Sequence, residues 1–268
     1  MTSMYSAIKS LMHDIKVIDD ETIEVTNPID LEDVRTTNIY EPEARTYISD
    51  FIYNKFHACM EQIEPATTKV DIFRHLRSFS TLDRFLPEHL FGRQQPKISL
   101  DRSPGFIHIF GDRGWPSDNP SVGRIYISSL NAIERTNLFT TLIEPLERLS
   151  YPFQCKMSWN PAVRRSDDIV VYFPIGSGFN EARVLVRETL QARELGSFEM
   201  PKSIFTNRLT HHSSEAIEES SLENPGMSFG SKRSTFCAEL ILAILTGKPD
   251  GFEQIAQSWN VDLSDLFH

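Results

Sequence analysis

Basic side chains recur in this chain beside runs that alternate like β-strands. Arg124 sits in GRIYIS with Tyr126 at the same parity, and Lys156 sits in FQCKM, alternating with Gln154 and Ser158. Arg164 and Arg165 precede Asp167, Asp168 and a β-branched run. Arg208 follows IFTN, and Arg233 lies in SFGSKRS, where Gly230, Ser231 and Lys232 lead into an apolar helical stretch. Arginine forks and a lysine point charge gathered at one place would hold a phosphate. The start of a helix capped by Ser228 or Ser231 would add N–H groups for an anion. Taken singly, each arginine suits a surface salt bridge equally well.

His108 lies in FIHIF, where alternation gives Phe106 and Phe110 the same face. It suits an acid or base near neutral pH, and equally a satisfied sheet histidine. His211 and His212 fall in a polar stretch, as surface groups or lid residues. Asp167 and Asp168 either pair with Arg164 and Arg165 or orient a catalytic cation. Trp115, Tyr126, Trp159 and Tyr172 read as core aromatics before ligand stackers. SFGSKRS lacks the GxxxxGK[ST] spacing of a P-loop, and HIFGDRGW is no dinucleotide fingerprint. There is no CxxC pair and no HExxH, so no metal site is legible and no cofactor is expected. Cys59, Cys155 and Cys237 each sit among apolar residues. They read as small buried hydrophobes in a reducing, cytoplasmic setting, and not as a disulfide framework.

The elements that must position these groups change character along the chain. Residues 3–16 read as a short helix, and Val17–Val25 as a hairpin turning near Asp19 and Asp20. Asn27–Tyr40 reads as loop. Apolar positions from Ala44 to Ile63 recur at helical spacing, Val70–Phe79 is helix-like, and Thr81–Leu90 reads as a short helix broken at Pro87. After Gly92 the texture turns strand-like, around Ile98, Phe106–Phe110, Gly123–Ile127, Phe153–Met157 and Asp168–Phe173. Helices are expected at Asn131–Leu149, Asn180–Arg193, Thr235–Leu245 and Gly251–Trp259. Residues 206–228 read as a long polar loop, a lid or binding segment. The expected fold is α+β: an N-terminal helical region, residues 1–90, on a mixed, mainly antiparallel sheet with intervening helices, residues 91–268. A single continuous domain over 44–268 is the other division.

Composition bounds the function. The 268 residues carry 27 Lys and Arg against 37 Asp and Glu, a net charge of −10. This argues against non-specific nucleic-acid binding. No apolar run of 18 residues predicts a membrane-spanning helix. The charge is uneven: residues 1–50 hold 4 basic and 11 acidic side chains, whereas residues 91–165 hold 10 and 6. The middle of an acidic protein is therefore basic. It contains Arg124, Lys156 and Arg165, a pattern that suits a small anionic group.

The blocks GRIYIS (123–128), YPFQCKM (151–157), RRSDDIVVYF (164–173), PKSIFTNRLT (201–210) and GMSFGSKRSTFCAELILAI (226–244), in this order, resemble the HopA1 family. That family includes a bacterial type III effector and HopA1-like proteins of lanthipeptide and thioamitide biosynthesis. The resemblance covers residues 44–250. It implies a phosphothreonine/phosphoserine lyase that eliminates phosphate from a peptide bearing a leader, after a partner kinase has phosphorylated it. Carried over, Arg124, Lys156, Arg165, Arg208 and Arg233 are the phosphate-binding candidates, with Tyr126 and Asp168 beside them. Such chemistry needs a base for the Cα proton, and a lysine serves only where burial or nearby cations favour its neutral form. Lys156 is the candidate base, Lys97 its reserve and His108 the candidate acid. THHSSEAIEES after FTNRL departs from the more apolar stretch expected there, which bears on the lid and on substrate choice. The rival reading is a non-catalytic, effector-like module, or one that binds a leader peptide or kinase. The acidic first fifty residues would dock on a basic partner. An effector would act inside a host cell.

Overall fold

The structure, a computed structural model, describes residues 8–65, 67–77, 98–99, 105–117, 121–193, 203–218, 228–248 and 251–259. The expected helix at Thr81–Leu90 lies outside them, as does Lys97. The chain forms two compact units. One takes residues 1–60, 202–206 and 221–268, and the other takes residues 61–201 and 207–220. The division follows packing and not chain order, so the last helices join the first sixty residues and no single boundary falls after residue 90.

The described part of the first unit opens with a short helix over residues 8–12, within the helix expected over 3–16. A three-stranded antiparallel sheet follows, β1 (Lys16–Val17), β2 (Thr22–Asn27) and β3 (Asp30–Asn38), in that order. The Asp19 carboxylate accepts from the backbone N–H of Glu21, which secures the β1–β2 turn and holds this exposed carboxyl below its usual range. Ile23 and Val25 alternate inward on β2. The segment expected as loop, Asn27–Tyr40, is mostly strand β3. Its polar sequence, DLEDVRTTN, pairs through the backbone and has no apolar alternation to announce it. The Asn27 side chain accepts from Ile29 N and donates to Asp33, shaping the β2–β3 turn.

Helix α1 (Pro42–Ile52) begins with proline in its first turn and buries Ala44, Ile48, Phe51 and Ile52. The helix expected to reach Ile63 widens into one π turn at Tyr53–His57. It stops before Cys59, whose φ of +46° is left-handed. The chain's penultimate and last described helices, Phe229–Leu245 and Phe252–Trp259, also belong here. Ser228 caps the first of them by accepting from Ser231 N, so it starts six residues before the expected Thr235.

In the second unit, β4 (Glu61–Gln62) pairs with β9 (Val163–Arg164), and α2 spans Lys69–Arg77. The main sheet has seven strands: β5 (Ile98–Ser99), β6 (Phe106–Phe110), β7 (Val122–Ile127), β8 (Gln154–Ser158), β10 (Ile169–Pro174), β11 (Asn207–Thr210) and β12 (Ser213–Glu218). Their order is β11-β12-β7-β10-β8-β6-β5, and neighbours pair antiparallel. The expected 206–228 loop is therefore a hairpin over its first half. Its turn is at His211–His212, and small Ser213, Ser214 and Ala216 are buried on β12. Serines are poor strand signals, so tertiary pairing decides this element.

Helices α3 (Ala132–Arg148) and α4 (Phe179–Gln191) pack with one sheet face. Leu138, Phe139, Leu142, Ile143 and Leu146 of α3 and Ala182, Val186 and Leu190 of α4 share a core with sheet residues. Those sheet residues are Ile107, Ile109, Ile125, Ile127, Cys155, Met157, Ile169, Val171 and Phe173, alternate positions on four strands. Burying each of the Leu, Ile, Val, Phe and Met side chains among these stabilises the unit by about 1.5–3 kcal/mol. The intervening residues face the other way, and these are the residues with chemistry.

Candidate functional site

One row of register partners crosses the sheet. It runs from Ser99 to His108, Lys156, Val170, Tyr126, Ser214 and Arg208. Four residues that the sequence marked for chemistry thus lie in a single line on one face. Lys156 and His108 are direct neighbours on β8 and β6, with Cβ atoms about 5 Å apart for such a pair. Tyr126 is two strands from Lys156, about 10 Å at the usual strand spacing. Arg124 lies one pleat along β7 from Tyr126, paired with Tyr172. Arg208 sits four strands from Lys156, about 19 Å away, exposed on the outermost strand. The row therefore brings Lys156 and His108 together, places Tyr126 and Arg124 within side-chain reach, and leaves Arg208 at the rim.

Aromatic rings support the cations of this face. The Lys156 ammonium is 4.2 Å from the Phe106 ring centroid, and the Arg165 guanidinium is 5.1 Å from the same ring. The Arg124 guanidinium is 5.8 Å from the Tyr172 ring. His108 stacks on Phe110 with centroids 6.5 Å apart and planes 17° from parallel. His108 and Tyr126 are buried, and Lys156, Arg124 and Arg165 are half-buried. Arg165 has a carboxylate as well, with Nε and Nη2 donating to Asp167 at 2.6 and 3.1 Å. Lys156 has no carboxylate and no hydrogen-bond acceptor among the described residues. Its contact is the Phe106 ring.

Asp168 is placed elsewhere. Its side chain is sealed from solvent in an ion pair with Arg135 of α3, 2.8 Å from Oδ1 to Nη2. Oδ2 accepts from Ser129 N and Oγ. Arg135 also donates to the carbonyls of Ser158, Asn160 and Val163. Burial raises the Asp168 carboxyl to about 6, against the opposing pull of Arg135 and Ser129, and burial likewise lowers Arg135. Asp168 is thus not on the cationic face as expected. It ties the ends of β8 and β10 to α3 and has no surface left to offer a substrate. Arg164 pairs with Glu61 across β4 and β9. Arg135 itself escaped the sequence reading, although it extends the stripe of Leu138, Leu142 and Leu146, and an arginine on an apolar stripe needs a buried acid.

Arg233 belongs to the first unit. It lies in the first turns of helix α5 (Phe229–Leu245), with its guanidinium 5.4 Å from the Phe229 ring. Beside it Lys232 is buried. His57 is packed among Tyr53, Phe205 and Phe229, and its Nδ1 is 2.8 Å from Ser203 Oγ. The five cations that the sequence singled out are divided, four in the second unit and Arg233 in the first. The first unit also has a small pocket between β2, β3 and α1, lined by Val25, Arg35, Tyr47 and Asp50 among others. It contains none of the expected site residues. Among the described residues, no group of three His, Cys, Asp or Glu side chains is arranged to hold a metal ion. No described helix is long and apolar enough to cross a membrane. The three cysteines are free, and burial raises the thiols of Cys155 and Cys237.

An antiparallel sheet with helices on one face and cations over aromatic rings on the other defines an α+β protein. The chain belongs to the HopA1 effector protein family, whose sequence model matches residues 99–259. That span runs from Ser99 in β5 to the last described helix and includes the whole row of register partners. Two solved structures are similar to it. The effector protein from Pseudomonas syringae pv. tomato strain DC3000 is 15% identical, with a TM-score of 0.50 over 84% of this chain and 94% of that one. This likeness is one of fold. The effector protein from Pseudomonas syringae pv. syringae strain 61 is 14% identical, with a TM-score of 0.38 over 99% of this chain and 94% of that one. No curated protein matches the chain.

Proposed function

We propose that this chain is a phosphothreonine/phosphoserine lyase acting on a phosphorylated peptide. The observation that carries the reading is Lys156. It is a half-buried ammonium against an aromatic ring, with no counter-charge among the described residues, directly across from His108. A cation desolvated in this way favours an anionic ligand. A phosphate monoester is a dianion of suitable size, and Arg124 and Arg165 supply further donors on the same unit.

In this mechanism Lys156 meets the phosphate as an ammonium, passes that proton to solvent, and as the neutral amine takes the Cα proton of the phosphorylated residue. The electrons of the broken C–H bond form the Cα=Cβ double bond, and the Cβ–O bond breaks with its pair leaving on phosphate. His108 gives its proton to the departing oxygen, and the arginines stabilise the charge that builds there. The products are orthophosphate and dehydrobutyrine from threonine, or dehydroalanine from serine. The step involves no net oxidation. A kinase must act first to supply the phosphate, and a leader segment would tether the peptide.

The test is incubation with phosphothreonine and phosphoserine peptides, read by mass spectrometry. Loss of phosphoric acid from the peptide, with release of orthophosphate, is the expected result. Peptides that bind and keep their mass would replace this reading with that of a non-catalytic phosphopeptide-binding module, consistent with the effector family. Peptides that neither bind nor change would exclude both.

A further inference from the structure

Phe106 opens β6 behind Gly105, whose φ of +81° suits glycine, and its side chain is buried. Two cations from different segments share its ring, Lys156 from β8 and Arg165 from the turn before β10. Arg165 brings its own carboxylate, Asp167, whereas Lys156 has only the ring among the described residues. The two kinds of partner have different consequences. A carboxylate neutralises a cation and competes with an incoming phosphate. An aromatic face attracts a cation through its quadrupole while leaving the net charge in place.

We propose that Phe106 is a positioning residue of the anion site. It holds the Lys156 ammonium beside the Arg165 guanidinium, fixing the place of a phosphate dianion without cancelling the charge that binds it. This deepens the phosphopeptide reading above and rests on it. Phe106 touches no reacting atom, and its effect passes through Lys156. The same economy is visible along the rest of the face, where Arg124 lies over Tyr172 and His108 over Phe110. Phe106 differs because two cations converge on it.

The experiment compares the full chain with Phe106→Leu, Phe106→Trp and a series carrying progressively fluorinated phenylalanine at position 106. Calorimetry measures binding of a phosphothreonine peptide and of its unphosphorylated twin. Leucine keeps an apolar side chain without a quadrupole, and the fluorinated rings keep shape while draining the face of charge. The expected result is phosphopeptide binding about tenfold weaker in Phe106→Leu and restored in Phe106→Trp. Binding also weakens stepwise with fluorination while the melting temperature stays level. Wild-type binding that the leucine and fluorinated variants match would overturn the proposal and leave the phosphopeptide reading standing. No preference of the wild type for the phosphorylated peptide would remove both. A leucine variant that fails to fold leaves the fluorinated series to decide.

Discussion

His108 and Lys156 are register partners on adjacent antiparallel strands, so their side chains rise next to each other from the same sheet face. On each strand the flanking residues point into the core: Ile107 and Ile109 around the histidine, Cys155 and Met157 around the lysine. The period of two in each segment places the pair, and the burial of the alternate residues prevents a one-residue slip. If Lys156 is the base, Lys156→Ala should abolish phosphate release, and His108→Ala should slow it by about 10²–10⁴-fold. Lys156→Ala should keep the wild-type circular dichroism spectrum, since Lys156 has no ion pair to lose among the described residues. Undiminished turnover by Lys156→Ala would remove it from the role.

The arginines should divide by position. Arg124 lies on the cationic face over Tyr172, whereas Arg208 is exposed on the outermost strand, about 19 Å of sheet from Lys156. Arg124→Ala should therefore weaken phosphopeptide binding by about 10–100-fold, the value of hydrogen bonds to a charged group. Arg208→Ala should change it by about twofold or less, the usual value of an exposed charge. Titrations of both variants with one labelled phosphopeptide decide the point. Equal losses would mean that the site lies nearer the sheet edge than the row implies.

How far the sequence disclosed this arrangement depends on the kind of signal. Phe106, His108 and Phe110 share a face by simple alternation, and Arg124 and Tyr126 do likewise, so strand faces were legible. Which strand lies beside which was not, because the order β11-β12-β7-β10-β8-β6-β5 is set by long-range pairing. The meeting of Lys156 with His108 and Phe106 therefore arises only from the tertiary pairing of β8 with β6. Strands β3 and β12 were hidden for another reason: their polar residues and serines pair by backbone hydrogen bonds that local propensity does not record. Asp168 stands in sequence as an acid among arginines, but its ion-pair partner is Arg135, distant in sequence.

That buried pair has a pH signature. Burial raises the Asp168 carboxyl from 3.8 to about 6. Between those values the folded protein holds a proton that the unfolded chain has released, so this group's contribution to stability is full below 3.8. It is lost as pH rises through about 6, and constant above. Asp168→Asn should erase this component. It should also cost about 3–5 kcal/mol, because Arg135 stays buried without its counter-charge. Urea titrations of both proteins at the two ends of that window measure the difference. A variant that keeps the wild-type slope would assign the titration to another group.

The SFG segment of the 226–244 block holds a close contact within the first unit. Gly230 lies in the first turn of α5, where a Cβ would come within 2.0 Å of His57 Cδ2 and 2.2 Å of its Nε2. His57 has little room to retreat. It is 2% exposed, tied to Ser203 Oγ, and surrounded by the rings of Tyr53, Phe205 and Phe229. The glycine is there for close approach, because a helical φ makes no demand for it. Gly230→Ala would gain about 1 kcal/mol of helix propensity at an open site. Here overpacking should reverse the sign and leave a net loss of about 1–3 kcal/mol. Relieving the contact should recover stability, so Gly230→Ala combined with His57→Ala should lose less than the two single variants together. Thermal melts of the four proteins form the double-mutant cycle that measures this coupling. Strictly additive losses would show that Gly230 and His57 do not constrain each other.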